Sequence, residues 1–88
     1  MNETRIKEII TQLIGIEIND IHQNLILVGL DSMKTINLVV ELEEEFDIVI
    51  DDNDLLFENF STISRIVDLI SQKVIGKELY TTKYNELL

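Results

Sequence analysis

Hydrophobic residues recur along the chain with the spacing of amphipathic helices, in which every third or fourth residue lies on one face. Three such runs predict a helix over residues 2–14, a second that begins at residue 32, and a third that follows a Ser61-Thr62 cap. Their apolar stripes are, in order, Ile6, Ile9, Ile10, Leu13 and Ile14; Thr35, Leu38, Val39, Leu42 and Phe46; and Ile63, Ile66, Val67, Ile70 and Val74. Three long helices are therefore expected to share one core.

The segments between these helices are predicted from their turn and capping residues. Gly15 ends the first helix, and a long connection over residues 16–30 follows. Its apolar residues are expected to lie over the core: Ile18, Ile21, Leu25, Ile26, Leu27 and Val28. Beyond the second helix, an extended stretch leads to a short fourth helix over residues 53–57, capped by Asp51 or Asp52. The prediction is an all-α fold, a four-helix bundle of three long helices and one short helix.

The length of the chain, 88 residues, supports one small domain, which we place at residues 1–76. No repeat, low-complexity tract or proline marks an internal boundary. Residues 77–88 carry apolar side chains at helical spacing, so they extend the last helix, pack against the domain or fray, and fraying is the expectation. Because the chain has no cysteine, neither a disulfide framework nor a cysteine-based metal site is available.

The net charge of −10 is concentrated in the middle of the chain. Residues 32–60 contain nine acidic residues and one basic residue. Such a block repels nucleic-acid phosphates and anionic lipid surfaces and steers basic protein surfaces towards itself, so we expect protein partners, no nucleic acid and no membrane. No apolar run reaches the length of a membrane span, and the N-terminus lacks the build of a signal peptide. We therefore expect a cytoplasmic protein.

Ser32 lies where the second predicted helix begins. Backbone N–H groups at a helix N-terminus lack intrahelical partners, and the helix dipole favours negative charge there. A phosphate ester on the Ser32 hydroxyl would be tolerated at that position. Asp31 and Ser32 are both good N-cap residues as well, so the alternative is that either side chain only starts the helix.

One pentapeptide resembles the signature of the acyl carrier and peptidyl carrier protein family: Gly29-Leu30-Asp31-Ser32-Met33. The family signature is a Gly-x-Asp-Ser-Leu/Met core, and here too an acidic segment follows it. The likeness extends over residues 6–74. It implies that Ser32 carries a covalent 4′-phosphopantetheine arm, that Asp31 orients the serine, and that the thiol of the arm holds acyl or aminoacyl groups as thioesters.

The resemblance also implies a set of partner enzymes. A phosphopantetheinyl transferase adds the arm from coenzyme A, an acyl- or aminoacyl-loading enzyme charges it, and downstream synthase or transferase enzymes act on the cargo. Catalysis then belongs to the partners, so we expect the chain to be a monomeric carrier and not an enzyme.

The second predicted helix has an apolar strip opposite its core stripe, with glutamates around it, which is typical of an interface. Single exposed apolar residues are also ordinary on protein surfaces, and that alternative stays open. The resemblance points to an interface too, because this helix docks on partner enzymes in the family, and it adds Ile50 and Asp52 as contact positions. The residues that we assign to this partner face are Met33, Ile36, Asn37, Val40, Glu41, Glu44, Ile50 and Asp52.

Two positions of the second helix depart from the fatty-acid type of carrier, which has acidic residues where this chain has Lys34 and Asn37. The departure favours a discrete carrier of a polyketide, nonribosomal-peptide or other dedicated pathway. The alternatives are a carrier of housekeeping fatty-acid synthesis and an unmodified carrier-like adaptor that only binds proteins.

Two other classes fit the sequence poorly. A serine hydrolase needs a base near Ser32, but the only histidine, His22, lies in the long connection, and the Gly-x-Ser-x-Gly elbow is matched at neither glycine. A calcium loop that starts at Asp52 has Phe57 where glycine is required and Ile63 where the bidentate glutamate belongs. We therefore expect no catalytic residue and no metal site.

Overall fold

The computed structural model describes the backbone of residues 2–87 and the side chains of residues 2–77. Three α-helices form the bundle, and three short 3₁₀ turns lie in the connections between them. The helices are α1 (Asn2–Ile14), α2 (Ser32–Phe46) and α3 (Ile63–Leu87), and the 3₁₀ turns are Leu25–Val28, Asp52–Asp54 and Phe57–Phe60. Within residues 2–87 there is no strand. The all-α carrier-type bundle that the sequence predicts is confirmed.

The core is built from the three predicted stripes and from residues of the connections. Its largest fully buried side chains are Ile6, Ile10, Leu25, Leu38, Leu42, Phe60, Ile63, Ile66 and Ile70. The ends of the stripes, such as Phe46 and Val74, are half-buried and pack against this cluster. Each fully buried Ile, Leu or Phe stabilises the fold by about 1.5–3 kcal/mol, so α1, α2 and α3 are held together mainly by this shared core.

The long connection between α1 and α2 covers the core with only some of its apolar residues. Ile18 and Leu25 are buried, whereas Ile26 is exposed and the side chain of Leu27 is 78% exposed. The expectation that all six apolar residues lie over the core is therefore wrong for Ile26 and Leu27. The reason is the 3₁₀ turn Leu25–Val28, because three residues per turn direct consecutive side chains to different sides.

Residues 51–60 do not form the single short helix predicted over residues 53–57. Two 3₁₀ turns form instead, and the chain between them leaves the helical region, with φ −100° and ψ 136° at Leu56. Asp51 stands at the N-cap position of the first turn, but its side chain makes no capping hydrogen bond. Its carboxylate pairs with Lys73 of α3. A contact with a distant helix has thus replaced the local cap that the sequence suggested.

The tail of the chain continues α3. Its backbone is helical through residue 87, so α3 continues into residues 77–87, and the expectation that they fray stays a prediction. No proline follows Gly76, and a single glycine costs a helix only about 1 kcal/mol, which is too little to end it. The side chains of residues 78–88 lie outside the described part of the chain, and the domain boundary at residue 76 stays a prediction.

Candidate attachment site and partner face

Ser32 is the first residue of α2, and Asp31 is its N-cap. The Asp31 carboxylate accepts a hydrogen bond from the backbone N–H of Lys34 at 2.8 Å, and its carbonyl accepts from the N–H of Thr35 at 2.8 Å. Ser32 is exposed, and its hydroxyl makes no hydrogen bond to any residue that the structure describes. The capping role thus belongs to Asp31, which leaves the Ser32 hydroxyl accessible at the helix N-terminus.

The turn before α2 presents this serine. Gly29 has a φ of +117°, a left-handed conformation that side-chain-bearing residues rarely adopt. Leu30 is buried, and its N–H donates to the carbonyl of Leu25 at 2.9 Å, which anchors the turn to the core. Gly29 reverses the chain and Leu30 holds it, so the next two residues project into solvent.

The surroundings of Ser32 suit a phosphodiester. The hydroxyl lies at the positive end of the α2 dipole, and the first turn of α2 contains no acidic residue. The Lys34 ammonium lies 3.4 Å from the carbonyl oxygen of Gly29, so a cation is held against the turn that leads to the serine. The positive end of the helix and the Lys34 ammonium favour a 4′-phosphopantetheine phosphate here, while the Asp31 carboxylate, next to Ser32 in the chain, opposes it.

The apolar members of the predicted partner face that lie on α2 are exposed. Met33 is 71% exposed, Ile36 61% and Val40 47%. Asn37 and Asp52 are exposed as well. These side chains are accessible to a partner that docks beside Ser32.

Ile50 does not belong to this exposed face. Its side chain is only 6% exposed and lies in the core, so it offers no surface for contact, contrary to the assignment made by resemblance. Its backbone N–H donates to the Glu43 carboxylate at 2.9 Å. The residue fixes the segment after α2 to the bundle.

The glutamates of α2 divide into two pairs. Glu43 binds the Ile50 N–H, and Glu45 forms an ion pair with Arg5 of α1, so both serve the fold. Glu41 and Glu44 are exposed and form no ion pair with any residue that the structure describes. Charge for a partner is therefore concentrated at Glu41 and Glu44.

An apolar groove lies next to Ser32. This groove was not predicted from the sequence. It has a volume of about 270 Å³ and is lined by Ser32, Thr35, Ile36, Val39, Val40, Leu55, Leu56, Phe57 and Phe60. The run Leu55-Leu56-Phe57 was the available signal, because three consecutive large apolar residues cannot all turn inward from a short amphipathic helix. Its three side chains are largely exposed and form one wall of the groove.

Residues 4–70 match the family model for the phosphopantetheine attachment site. Acyl carrier proteins from two strains of Buchnera aphidicola subsp. Acyrthosiphon pisum, Tuc7 and APS, are each 36% identical to the chain over 78 residues. The similarity covers 85% of this chain and 95% of each relative. The chain belongs to the acyl carrier protein family. As a member, this acyl carrier protein has a covalently attached 4′-phosphopantetheine, and the family's role is to carry substrates.

A solved structure has the same fold as this acyl carrier protein. It is a chain in the structure of the ishigamide ketosynthase/chain length factor, with a TM-score of 0.68 and 26% sequence identity. The superposition covers 83% of this chain and 93% of that chain. Within the described residues of the acyl carrier protein, no helix combines the length and the apolar character needed to cross a bilayer.

Proposed function

We propose that this protein carries acyl groups as thioesters on a phosphopantetheine arm attached to the Ser32 hydroxyl. The observation that carries the proposal is an exposed serine at the first position of α2, relieved of capping by Asp31 and set in the wall of an apolar groove. In the attachment step, Ser32 Oγ forms a phosphodiester with the pantetheine phosphate of coenzyme A, the hydroxyl proton is lost, and 3′,5′-ADP leaves. A separate transferase catalyses this step in the cytoplasm, where coenzyme A is available.

The groove supports an acyl cargo over a polar aminoacyl one. Its lining is almost entirely apolar, and Ser32, where the arm is anchored, is one of the lining residues. An alkyl chain that folds back from the arm would bury apolar surface there, at about 25 cal/mol for each Å² removed from water. The thioester would then be held close to the protein between encounters with enzymes.

Partner enzymes are proposed to dock on the partner face, from which Ile50 is excluded because it is buried. Met33, Ile36 and Val40 would supply apolar anchoring, while Glu41 and Glu44 steer a basic surface on the partner towards the arm. The partners are the transferase, a loading enzyme and downstream synthase or transferase enzymes. The protein itself would act as a monomer and catalyse no step.

A dedicated polyketide-type pathway is the setting that we propose. One support is the basic or neutral character of Lys34 and Asn37, where the fatty-acid type of carrier is acidic. The other is the likeness to a chain from a ketosynthase/chain length factor structure. A carrier of housekeeping fatty-acid synthesis is the alternative.

The test is the intact mass of the protein after incubation with coenzyme A and a broad-specificity phosphopantetheinyl transferase. We expect one phosphopantetheine increment on the wild type and none on Ser32→Ala. Ser64→Ala is the matched control, because Ser64 also lies in the first turn of a helix, α3, and should leave loading unchanged. An increment on Ser32→Ala would show that the arm is attached at another residue. No increment on the wild type would favour the alternative of an unmodified carrier-like adaptor.

A further inference from the structure

Lys73 of α3 binds two carboxylates of the segment that follows α2. Its ammonium lies 2.6 Å from Asp54 Oδ2 and 3.2 Å from Asp51 Oδ2. The side chains of Lys73 and Asp54 are 24% and 25% exposed, so solvent and salt screen this pair less than a surface pair. The ion pair with Asp54 raises the pKa of Lys73 above its ordinary value, which favours the charged ammonium.

These ion pairs hold the start of the segment that forms one wall of the groove. The wall, residues 55–57, lies between two core anchors, Ile50 and Phe60, and its own side chains are largely exposed. Asp54 directly precedes the wall, and its carbonyl accepts a hydrogen bond from the side chain of Asn59 at 2.9 Å. A second pair, Arg65 with Glu58, lies after the wall at 3.4 Å, but both side chains are largely exposed, so it contributes little.

We propose that Lys73 is a positioning residue that fixes the distance between the wall and α2. This distance determines which acyl chains the groove holds. The inference rests on the proposed role of the groove as a site for the acyl chain. The side chains of the wall are 45–57% exposed, so about half of their surface is packed, and the distance of the wall from Ile36 and Val40 depends also on how the preceding turn is tethered. Without the Lys73 ammonium, Asp51 and Asp54 are two carboxylates close together and repel each other. The 3₁₀ turn Asp52–Asp54 would then move outward, and the groove would bind long acyl chains less tightly.

The experiment measures how well the protein shields its thioester. Wild type and variants are loaded at Ser32 from acyl-coenzyme A donors that range from acetyl to dodecanoyl, and cleavage by hydroxylamine is followed by intact mass. The variants are Lys73→Met, Lys73→Arg and, as a matched control, Lys77→Met, which removes a lysine one turn further along α3 that pairs with Asp47. Circular dichroism at the assay temperature establishes that each variant is folded.

We expect cleavage of the wild-type thioester to slow as the acyl chain lengthens. In Lys73→Met, cleavage of the dodecanoyl thioester should be about fivefold faster than in wild type, the ratio expected for one lost ion pair, while acetyl cleavage is unchanged. Lys73→Arg should restore most of the protection, and Lys77→Met should behave as wild type. Because circular dichroism at the assay temperature establishes that each variant is folded, a faster cleavage confined to the long-chain thioester reports on the groove and not on a general loss of structure.

Two results would overturn the inference. If folded Lys73→Met shows the same dependence of cleavage rate on acyl chain length as the wild type, Lys73 does not position the wall. That result would not affect the assignment of the arm to Ser32. A wild type with no length dependence shows that the groove holds no chain, again without affecting the mass test of Ser32. If Lys73→Met does not fold, Asp54→Asn decides, because it removes the closer and less exposed partner of Lys73: loss of dodecanoyl protection supports the inference, and full protection contradicts it.

Discussion

The carboxylate of Asp31 accepts a hydrogen bond from the backbone N–H of Lys34 at 2.8 Å, so the helix start is capped without the hydroxyl of Ser32. Because the Asp31 side chain caps the helix through the Lys34 N–H, the Ser32 hydroxyl is not needed as the cap. A serine that another enzyme modifies should not also cap its helix, because the ester must form without destabilising that helix.

Asp31→Ala is expected to destabilise the protein by about 1 kcal/mol, because it removes the N-cap of α2. Asp31→Asn keeps a capping oxygen but removes the charge, so its stability should be close to wild type. Urea unfolding followed by circular dichroism measures both. If the two variants unfold at the same urea concentration, the cap is not what Asp31 contributes.

Charge reversal on the partner face should impair partners more than folding. We expect the Glu41→Lys, Glu44→Lys pair to slow loading by the transferase and to weaken the dependence of its rate on salt, because steering charge is lost. Val40→Asp should act in the same direction through lost apolar contact. Glu17→Lys, on the exposed part of the first connection, is compared with Glu41→Lys alone as the control for a single charge reversal. Unchanged loading in both face variants would remove this face as the docking surface for the transferase.

Neighbouring glutamates of α2 should differ in stability when truncated. Glu43→Ala leaves the N–H of the buried residue Ile50 without its acceptor and should cost about 1–3 kcal/mol. Glu44→Ala, on the exposed side, should change the free energy of unfolding by less than about 0.5 kcal/mol. Chemical denaturation of the two variants side by side checks this, and equal stabilities would mean that the Glu43 bond does not hold the segment.

The ion pair between Asp47 and Lys77 predicts a small pH dependence. The hydrogen bond from the Lys77 ammonium lowers the pKa of Asp47 below its ordinary value of 3.8. A lowered folded-state pKa means that the contribution to stability is present above pH 3.8 and is lost as the pH falls through the folded value. Asp47→Asn should flatten that part of the acid unfolding profile at low salt. Superimposable profiles of wild type and variant would show that the exposed pair contributes nothing.

The sequence by itself determined the helices and the place of the serine. The stripe that begins at Ile6 and the one that centres on Leu38 predict α1 and α2 correctly, because helical hydrogen bonds join residues close in the chain and burial selects every third or fourth position. Asp31 followed by Ser32 marks a helix start for the same local reason. Family membership followed from that short pattern.

Tertiary structure alone decided which apolar and acidic residues were left for function. Ile50 is buried whereas Leu27 is exposed, although both are equally apolar in the sequence. Glu43 accepts a hydrogen bond from the backbone of Ile50 whereas Glu44 does not, and the groove beside Ser32 forms because the fold places residues 55–57 next to α2. These outcomes depend on contacts between residues far apart in the chain, and hydrophobic periodicity reports only which side of its own helix a residue occupies.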